Sequence, residues 1–314
     1  MRVLVPGASG AIARKLVARL VHDGYEVVGI DRRAWPDAPI EFHEVDVRKH
    51  AAADVFRKVR PHAVVHMATV TSLVMPGEER HRINLDGTRA VFEYSRAHGV
   101  EHLIFVGRHT FYGAGPDSPL FHTEDEPPEE LSRFPELADL VAADLYAATA
   151  LWRSPELTTT VLRVCYALGP GGDGTLARFL RGKRVPLILG FDPLFQFMHE
   201  DDVVSALALT IAKRPRGVFN VAGPQAVPLG RVVREAGRLP VPLPEFVIAG
   251  LLGRFGLPKL PTGALAHVKY PVVVDARAFR ERTGFTHTYD EIGAIRSFRA
   301  AFPLPARSHD NVTT

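Results

Sequence analysis

The chain has 314 residues, 46% hydrophobic and 23% charged, with 38 Lys and Arg against 35 Asp and Glu for a formal charge of +3. That length suits one large domain or a domain with an added lobe. The sequence pI is about 9.1, but no run of five or six basic residues occurs, which reads as an arginine-rich solvated surface and argues against a nucleic-acid partner. The most apolar later stretch, Phe246 to Leu252, is soon followed by Arg254 and is far too short to span a bilayer, so no membrane association is expected. Fourteen histidines and a single cysteine offer no Cys-rich cluster, so no metal is expected. Cys165 alone cannot build a disulfide framework and fits a reducing, cytoplasmic setting, where it packs at the end of an apolar run. The first strand begins at residue 2, which leaves no room for a signal peptide ahead of it.

Arg2–Pro6 is a short apolar run of strand type, followed at once by the turn Gly7-Ala8-Ser9-Gly10-Ala11-Ile12-Ala13. Apolar residues at Ile12, Leu16, Val17, Leu20 and Val21 then mark one helical face, and Gly24 supplies a left-handed stop. Glu26–Asp31 is a second buried strand that ends in an acid, 21 residues after Gly10. This is the order a dinucleotide-binding unit demands. Gly7 permits the tight turn, Gly10 lets backbone amides approach a pyrophosphate, and Ala13 lets the helix pack on the sheet. Gly7, Ser9, Gly10, Ala11 and Ile12 form the expected phosphate cradle, and Asp31 is placed to accept both ribose hydroxyls. Asp31 favours NAD; Arg32 and Arg33 beside it keep NADP as the alternative, since either can pair with a 2′-phosphate.

Strand-like segments follow at Ile40–Val47, Ala63–Ala68, His102–Val106 and Thr159–Val164, with helix-like segments at Ala51–Val59, Arg80–His98 and Glu136–Trp152. The alternation predicts an α/β fold, a doubly wound parallel sheet of Rossmann type, with ligands at the carboxyl ends of the strands. After Gly169, Pro and Gly become frequent and elements shorten. The expected division is a dinucleotide-binding domain of residues 1–170 and 195–222, a smaller C-terminal substrate lobe of 171–194 and 223–302, and a polar mobile tail of 303–314.

The sequence resembles the extended short-chain dehydrogenase/reductases, in particular the NAD-dependent epimerase/dehydratase group that acts on nucleotide sugars. The resemblance rests on PGASGAIA at Pro6–Ala13, VDV at Val45–Val47, VVHMAT at Val64–Thr69, NLDGT at Asn84–Thr88 and FYG at Phe111–Gly113. LRVCYALGPGG at Leu162–Gly172, FMHEDDVVSA at Phe197–Ala206 and VFNVAG at Val218–Gly223 extend it over nearly the whole chain. It implies that Asp46 and Val47 contact the adenine, and that Met67, Ala68, Thr69 and Asn84 border the cofactor. It also implies a small polar substrate in the second lobe, and a homodimer face on helices Arg80–His98 and Glu136–Trp152. Polar His66 and Asn84 are equally well read as locally satisfied residues.

The departures limit the chemistry. The group's Ser or Thr after the fifth strand, which holds the substrate oxygen, falls on Arg108, preceded by Gly107. None of the seven tyrosines has a Lys four positions on. With the acid that follows the group's Lys aligned to Asp144, the Lys place holds Leu140 and the Tyr place Glu136. Positioned acid–base help is worth about 10²–10⁴ in rate, so a replacement is needed. The candidates are Arg108, His109, Tyr112, Glu136 and Tyr166. For Tyr112 and Tyr166 the competing reading is a cleft lining, and for His109 an exposed loop histidine. Arg108 either binds an anionic substrate group or pairs with Glu136 or Asp144. His199-Glu200-Asp201-Asp202 reads as the cap of a helix over Asp201–Ala212, and Arg163 either orients a substrate phosphate or braces the sheet edge. The leading expectation is an oxidoreductase or isomerase with a non-standard site. The alternatives are a cofactor-holding sensor or assembly partner without turnover, and a non-redox lyase or isomerase that keeps the nucleotide as structure.

Overall fold

The computed structural model describes residues 1–73, 75–129, 131, 134–251 and 261–304. From the amino terminus the elements run β1 (Arg2–Pro6), α1 (Ala11–His22), β2 (Glu26–Asp31), β3 (Glu41–Glu44), α2 (His50–Val59), β4 (Ala63–His66), α3 (Gly77–His81), α4 (Gly87–Ala97) and β5 (His102–Arg108). Next come α5 (Ala138–Arg153), β6 (Thr158–Val164), β7 (Tyr166–Leu168), α6 (Thr175–Phe179), β8 (Arg184–Ile188), β9 (Leu194–His199), α7 (Glu200–Lys213) and β10 (Gly217–Val221). The remainder is β11 (Ala226–Pro228), α8 (Leu229–Glu235), β12 (Leu239–Leu243), α9 (Glu245–Leu251), α10 (Ala266–Lys269), α11 (Arg277–Thr283) and α12 (Glu291–Ala301).

The main sheet has seven strands in the order β10-β6-β5-β4-β1-β2-β3, and every pair in it is parallel. The order reverses between β1 and β4, which opens a crevice at the carboxyl ends of those strands. Both faces of the sheet are covered, so its inner strands are mostly buried. In β1 the pleat divides the work. Val3 and Val5 face Leu16, Val17 and Leu20 of α1 with Leu207 and Ile211 of α7, while Leu4 faces Phe56, Val91, Phe92, Ala143 and Ala147. Lys15 of α1 reaches both Glu200 and Asp201 of α7, tying the two helices on one face.

Two smaller sheets, β11-β9-β7 and β12-β8, carry a separate apolar cluster that includes Leu176, Val185, Phe197, Val232 and Phe298. Thus β9 pairs outside the central sheet, whereas α7 and β10 return to it; the substrate-lobe division remains a proposal that this second core supports. Of the expected tail, residues 305–314 lie outside the described residues.

Several segments differ from the sequence expectation. The expected helix Arg80–His98 is three pieces, α3, a π-helical turn at Arg82–Asp86, and α4. Asn84 in that turn gives its amide to Val70 O (2.9 Å) and Asp139 Oδ2 (2.5 Å) and accepts Val70 N–H (2.7 Å), so a loop and α5 are fastened to the bulge. The strand expected over Ile40–Val47 shortens to β3, and Asp46 instead begins a turn in which its carboxylate accepts the Arg48 N–H at 2.9 Å. Two pairs, His62 with His66 and His98 with His102, have a spacing of four, but each pair spans a loop–strand junction instead of a helix face. Among the described residues no group of three His, Cys, Asp or Glu can hold a metal, and no helix is long and apolar enough to cross a membrane.

The Arg163–Asp144 pair links β6 to α5 at 2.9 Å with both side chains almost wholly buried. Arg163 also donates to Tyr112 Oη (2.9 Å) and Glu124 O (3.2 Å), and its guanidinium lies over the Phe111 ring at 3.5 Å. Asp144→Ala should cost about 3–5 kcal/mol by stranding this cation, whereas the double change Asp144→Leu with Arg163→Met should cost much less. Urea unfolding of both variants checks this; equal losses would contradict it.

Three buried imidazoles, His66, His102 and His109, are held neutral, with burial pushing their pKa values down to about 3, about 4 and about 3. The unfolded chain protonates them near pH 6.5, so between there and about pH 4 it binds more protons than the folded chain. Stability should therefore fall as pH drops through that window, by roughly 1.4 kcal/mol per pH unit for each imidazole. A melting temperature that stays level from pH 7 to pH 5 would rule this out.

Candidate functional site

The amino-terminal half of the site is a backbone cradle. Gly7 has φ +90°, and a Cβ there would sit 2.5 Å from the Met67 carbonyl carbon, so the turn can pass under the β4 extension only as glycine. Gly10 caps α1 without a side-chain hydrogen bond, leaving its first-turn amides, Ala11 and Ile12 among them, directed at the crevice. Ser9 donates its hydroxyl (2.5 Å) and backbone N–H (3.2 Å) to Asp31 Oδ2, while Arg33 N–H reaches Asp31 Oδ1 (3.0 Å). These bonds fix the acid at the carboxyl end of β2. The glycine cradle, the uncapped helix end and the fixed acid fit an adenine dinucleotide.

Beyond Asp31 the expected adenosine residues form an ion cluster. Arg48 grips Asp46 at 2.6 Å and holds its carboxyl below the ordinary carboxylate range, with Glu79 3.4 Å from Arg48 and 3.8 Å from Arg32. Val47 is buried in the core. Met67, Ala68 and Thr69 remain partly open along the crevice. Asn84 is different from expectation: it is fully buried, and both its amide and its carbonyl are consumed by Val70 and Asp139. It shapes the crevice wall without a free polar atom for a ligand. Arg80, also buried, joins the same wall by pairing with Asp139 and donating to the Glu136 carbonyl. No local spacing marks that pairing, because its partners stand 56 and 59 residues away.

The other half lies where β5 ends. A cavity there is lined by Thr69, Gly107, Arg108, Thr110, Phe111, Leu137, Leu140, Val141 and Asp144. Asp144 is the partner of Arg163, and apolar Leu140, one turn earlier on α5, stands on the cavity wall. A Cβ on Gly107 would meet Asp144 Oδ2 at 2.7 Å, so the buried acid accounts for the glycine before Arg108. Arg163, buried against Asp144, braces β6 on α5.

Arg108 does not make the ion pair considered for it. Asp144 is taken by Arg163, and among the described residues no carboxylate stands within 4.0 Å of Arg108. Its side chain is exposed in the cleft, yet the protein mass around it depresses its pKa, with Tyr166 opposing. It remains a cation, as guanidinium does in proteins.

The other catalytic candidates separate. Tyr112 is fully buried and is not a cleft lining: its hydroxyl donates to Asn220 Oδ1 (2.8 Å) and accepts from Arg163, and burial pushes its pKa up to about 12. His109 is buried instead of an exposed loop residue, with Nδ1 3.3 Å from Val164 O and Nε2 without a partner. Glu136 sits in a 3₁₀ turn ahead of α5, exposed, and only its backbone carbonyl is engaged. Of these candidates, Tyr166 combines partial exposure with a hydroxyl that has no partner among the described residues. Its ring stacks on Phe195 and meets His109 edge-on at 4.4 Å, and burial pushes the phenol up to about 12 against the pull of Arg108. A second Tyr and Lys do stand together, Lys269 over the Tyr270 ring, but the ammonium is bonded to Glu245 at 2.6 Å and neither residue lines the Arg108 cavity.

The His199–Asp202 run is structural, as a cap, although the capping atom is the imidazole Nδ1, which accepts Asp201 N–H at 3.2 Å. Glu200 instead accepts Gly171 N–H (3.0 Å), and Asp202 accepts the N–H groups of Thr288 (2.9 Å) and Tyr289 (3.1 Å).

Comparison with known proteins agrees with this geometry. A protein of Mycobacterium tuberculosis without an assigned role is 28% identical over 312 residues, which cover 94% of this chain and 82% of that one. The 3-diazoavenalumate denitrifying reductase of a Streptomyces species is 30% identical over 279 residues, 83% of this chain and 90% of the reductase. Among solved structures, MoeE5 in complex with UDP-glucuronic acid and NAD superposes with a TM-score of 0.77 at 27% identity, covering 96% of this chain and 98% of MoeE5. The UDP-glucose 4-epimerase of Thermus thermophilus in complex with NAD gives 0.75 at 25% identity, covering 96% and 99%. The model of the NAD-dependent epimerase/dehydratase family matches residues 3–222, and the chain belongs to that family.

Proposed function

We propose that the protein is an NAD(H)-dependent oxidoreductase that reduces a polar, carbon-based acceptor, with Arg108 and Tyr166 in place of the Tyr-x-x-x-Lys pair. The observation that carries this reading is the contrast at the end of β5: Leu140 stands on the wall where a cation is usual, and Arg108 and Tyr166 provide the open polar groups nearby. Gly7, Ser9, Gly10, Ala11, Ile12 and Asp31 would hold the dinucleotide, with Met67, Ala68 and Thr69 beside it. A bound nicotinamide would supply a two-electron hydride couple.

Its protonation state suits Tyr166 to the role of proton donor. Oxidising an alcohol needs a base for the hydroxyl proton, and a phenol pushed to about 12 is almost wholly protonated at neutral pH. In the reductive direction the same phenol serves as donor. As the acceptor's C=X carbon gains a hydride, the electron pair released onto X takes the Tyr166 proton, which solvent restores. Arg108 stabilises the negative charge that develops on the way. The similarity to a reductase at 30% identity supports this direction, and the bound NAD of the related structures supports the cofactor. NADP remains the alternative because Arg32 and Arg33 flank Asp31. The lone buried Cys165 supports a reducing, cytoplasmic setting.

Loss of 340 nm absorbance with a panel of carbonyl, nucleotide-sugar and diazo acceptors tests the reading. Tyr166→Phe should lower kcat by about 10²–10⁴ with little change in cofactor affinity. If no acceptor consumes the reduced cofactor although it binds, the sensor reading replaces this one.

We also infer a homodimer through the outer face of α5, where Leu145 and Trp152 are exposed, Trp152 at 78%. Light scattering should give about twice the 34.5 kDa chain mass, and Trp152→Glu should return a monomer; a wild-type monomer at micromolar concentration would exclude it.

A further inference from the structure

Resting on the reductase reading, we propose that the substrate carries a carboxylate at its reacting end, docked on Arg108 beside the Tyr166 hydroxyl. Arg108 is the last residue of β5 and opens into the cavity that also exposes Thr69, Thr110 and Leu140. The two buried arginines of this region are each matched by an acid, Arg163 by Asp144 and Arg80 by Asp139. Arg108, among the described residues, is matched by none. A guanidinium among apolar and aromatic walls keeps its charge at a desolvation cost that an anionic ligand offsets.

Two further observations narrow the ligand. Tyr166 has no hydrogen-bond partner among the described residues, and it lies near enough to Arg108 for the two charges to influence each other, so a carboxylate on Arg108 would bring the neighbouring reacting atom towards the phenol. Next, Arg108 is the one unmatched cation described in this cavity. The basic residues at the adenosine end, Arg32, Arg33 and Arg48, stand against Glu79, Asp31 and Asp46. A planar monoanion suits one guanidinium fork, whereas a phosphate dianion calls for additional cations or helix amides. Val106 and Phe111 on the same wall suit the carbon frame next to that carboxylate.

The test uses the purified full chain with reduced cofactor and two matched probe pairs, UDP-glucuronic acid against UDP-glucose and 4-hydroxycinnamate against its methyl ester, titrated by calorimetry. The acid of at least one pair should bind about tenfold or more tightly than its partner without the carboxylate, the size of a charge-assisted hydrogen bond. Arg108→Gln should erase the preference, and Arg108→Lys should restore part of it, with unchanged circular dichroism in both. Parity within both pairs, no binding by any probe, or a preference that survives in Arg108→Gln overturns the proposal. So does inorganic phosphate that displaces the acid better than acetate does at equal concentration. The readout needs no turnover, so an acid preference without reduced-cofactor consumption would sink the reductase reading and leave the carboxylate site standing.

Discussion

The site depends on one buried ion pair. Arg163 on β6 and Asp144 on α5 are separated by 19 residues, and their contact sets where α5 lies along the sheet. From that contact the helix register follows: Leu140, one turn earlier, faces the cavity, and Glu136 falls out of the helix altogether. The same guanidinium occupies the Tyr112 hydroxyl and lies over Phe111, so it also decides which aromatic after β5 is unavailable to a substrate. A buried pair of this kind adds little net stability compared with an apolar replacement, yet is costly to break in half. Its worth here is positional.

Around that brace the charges are arranged in two styles. At the adenosine end, Arg48, Asp46, Glu79 and Arg32 satisfy one another, which leaves a stiff rim beside the glycine cradle. At the end of β5, Arg108 opens into an apolar-walled cavity, and the Tyr166 phenol lies near enough to feel its charge. The first style suits holding a ligand in a fixed place, and the second keeps unspent polar groups for a ligand that brings its own charge. Family membership agrees with the first half, while the second half sets this chain apart from the residue pattern the family resemblance implied.

Much of the fold was legible because its signals are local. The continuous burial of Val3, Leu4 and Val5, the glycines of the first turn and the helical stripe from Leu16 to Leu20 each follow from neighbours within a few residues. Gly24 stops α1 with φ +83°, as its position in the sequence implied. Less legible was the helix expected from Arg80 to His98. Its apolar spacing continues through Ile83, but the side chain of Asn84 finds Val70 and Asp139, and the backbone widens into a π turn to allow it. His109 and Tyr112 were misread for a related reason: polar side chains in a loop after a strand look exposed until the packing of β6 and β10 over them is known.

By itself, the sequence determined the parallel α/β architecture, the dinucleotide cradle from Gly7 to Asp31 and the loss of the tyrosine–lysine spacing, since all three are written in contiguous residues. Tertiary structure alone decided which polar residues remain available. Asn84, Tyr112, Arg163 and Glu200 are each bound to partners from 14 to 108 residues away, and Arg108 stays open because Asp144 is taken by Arg163 and Glu136 stands in an exposed turn ahead of α5. Hydrogen-bond and charge satisfaction is a property of neighbours in space, and the order of residues along a chain does not fix who those neighbours are.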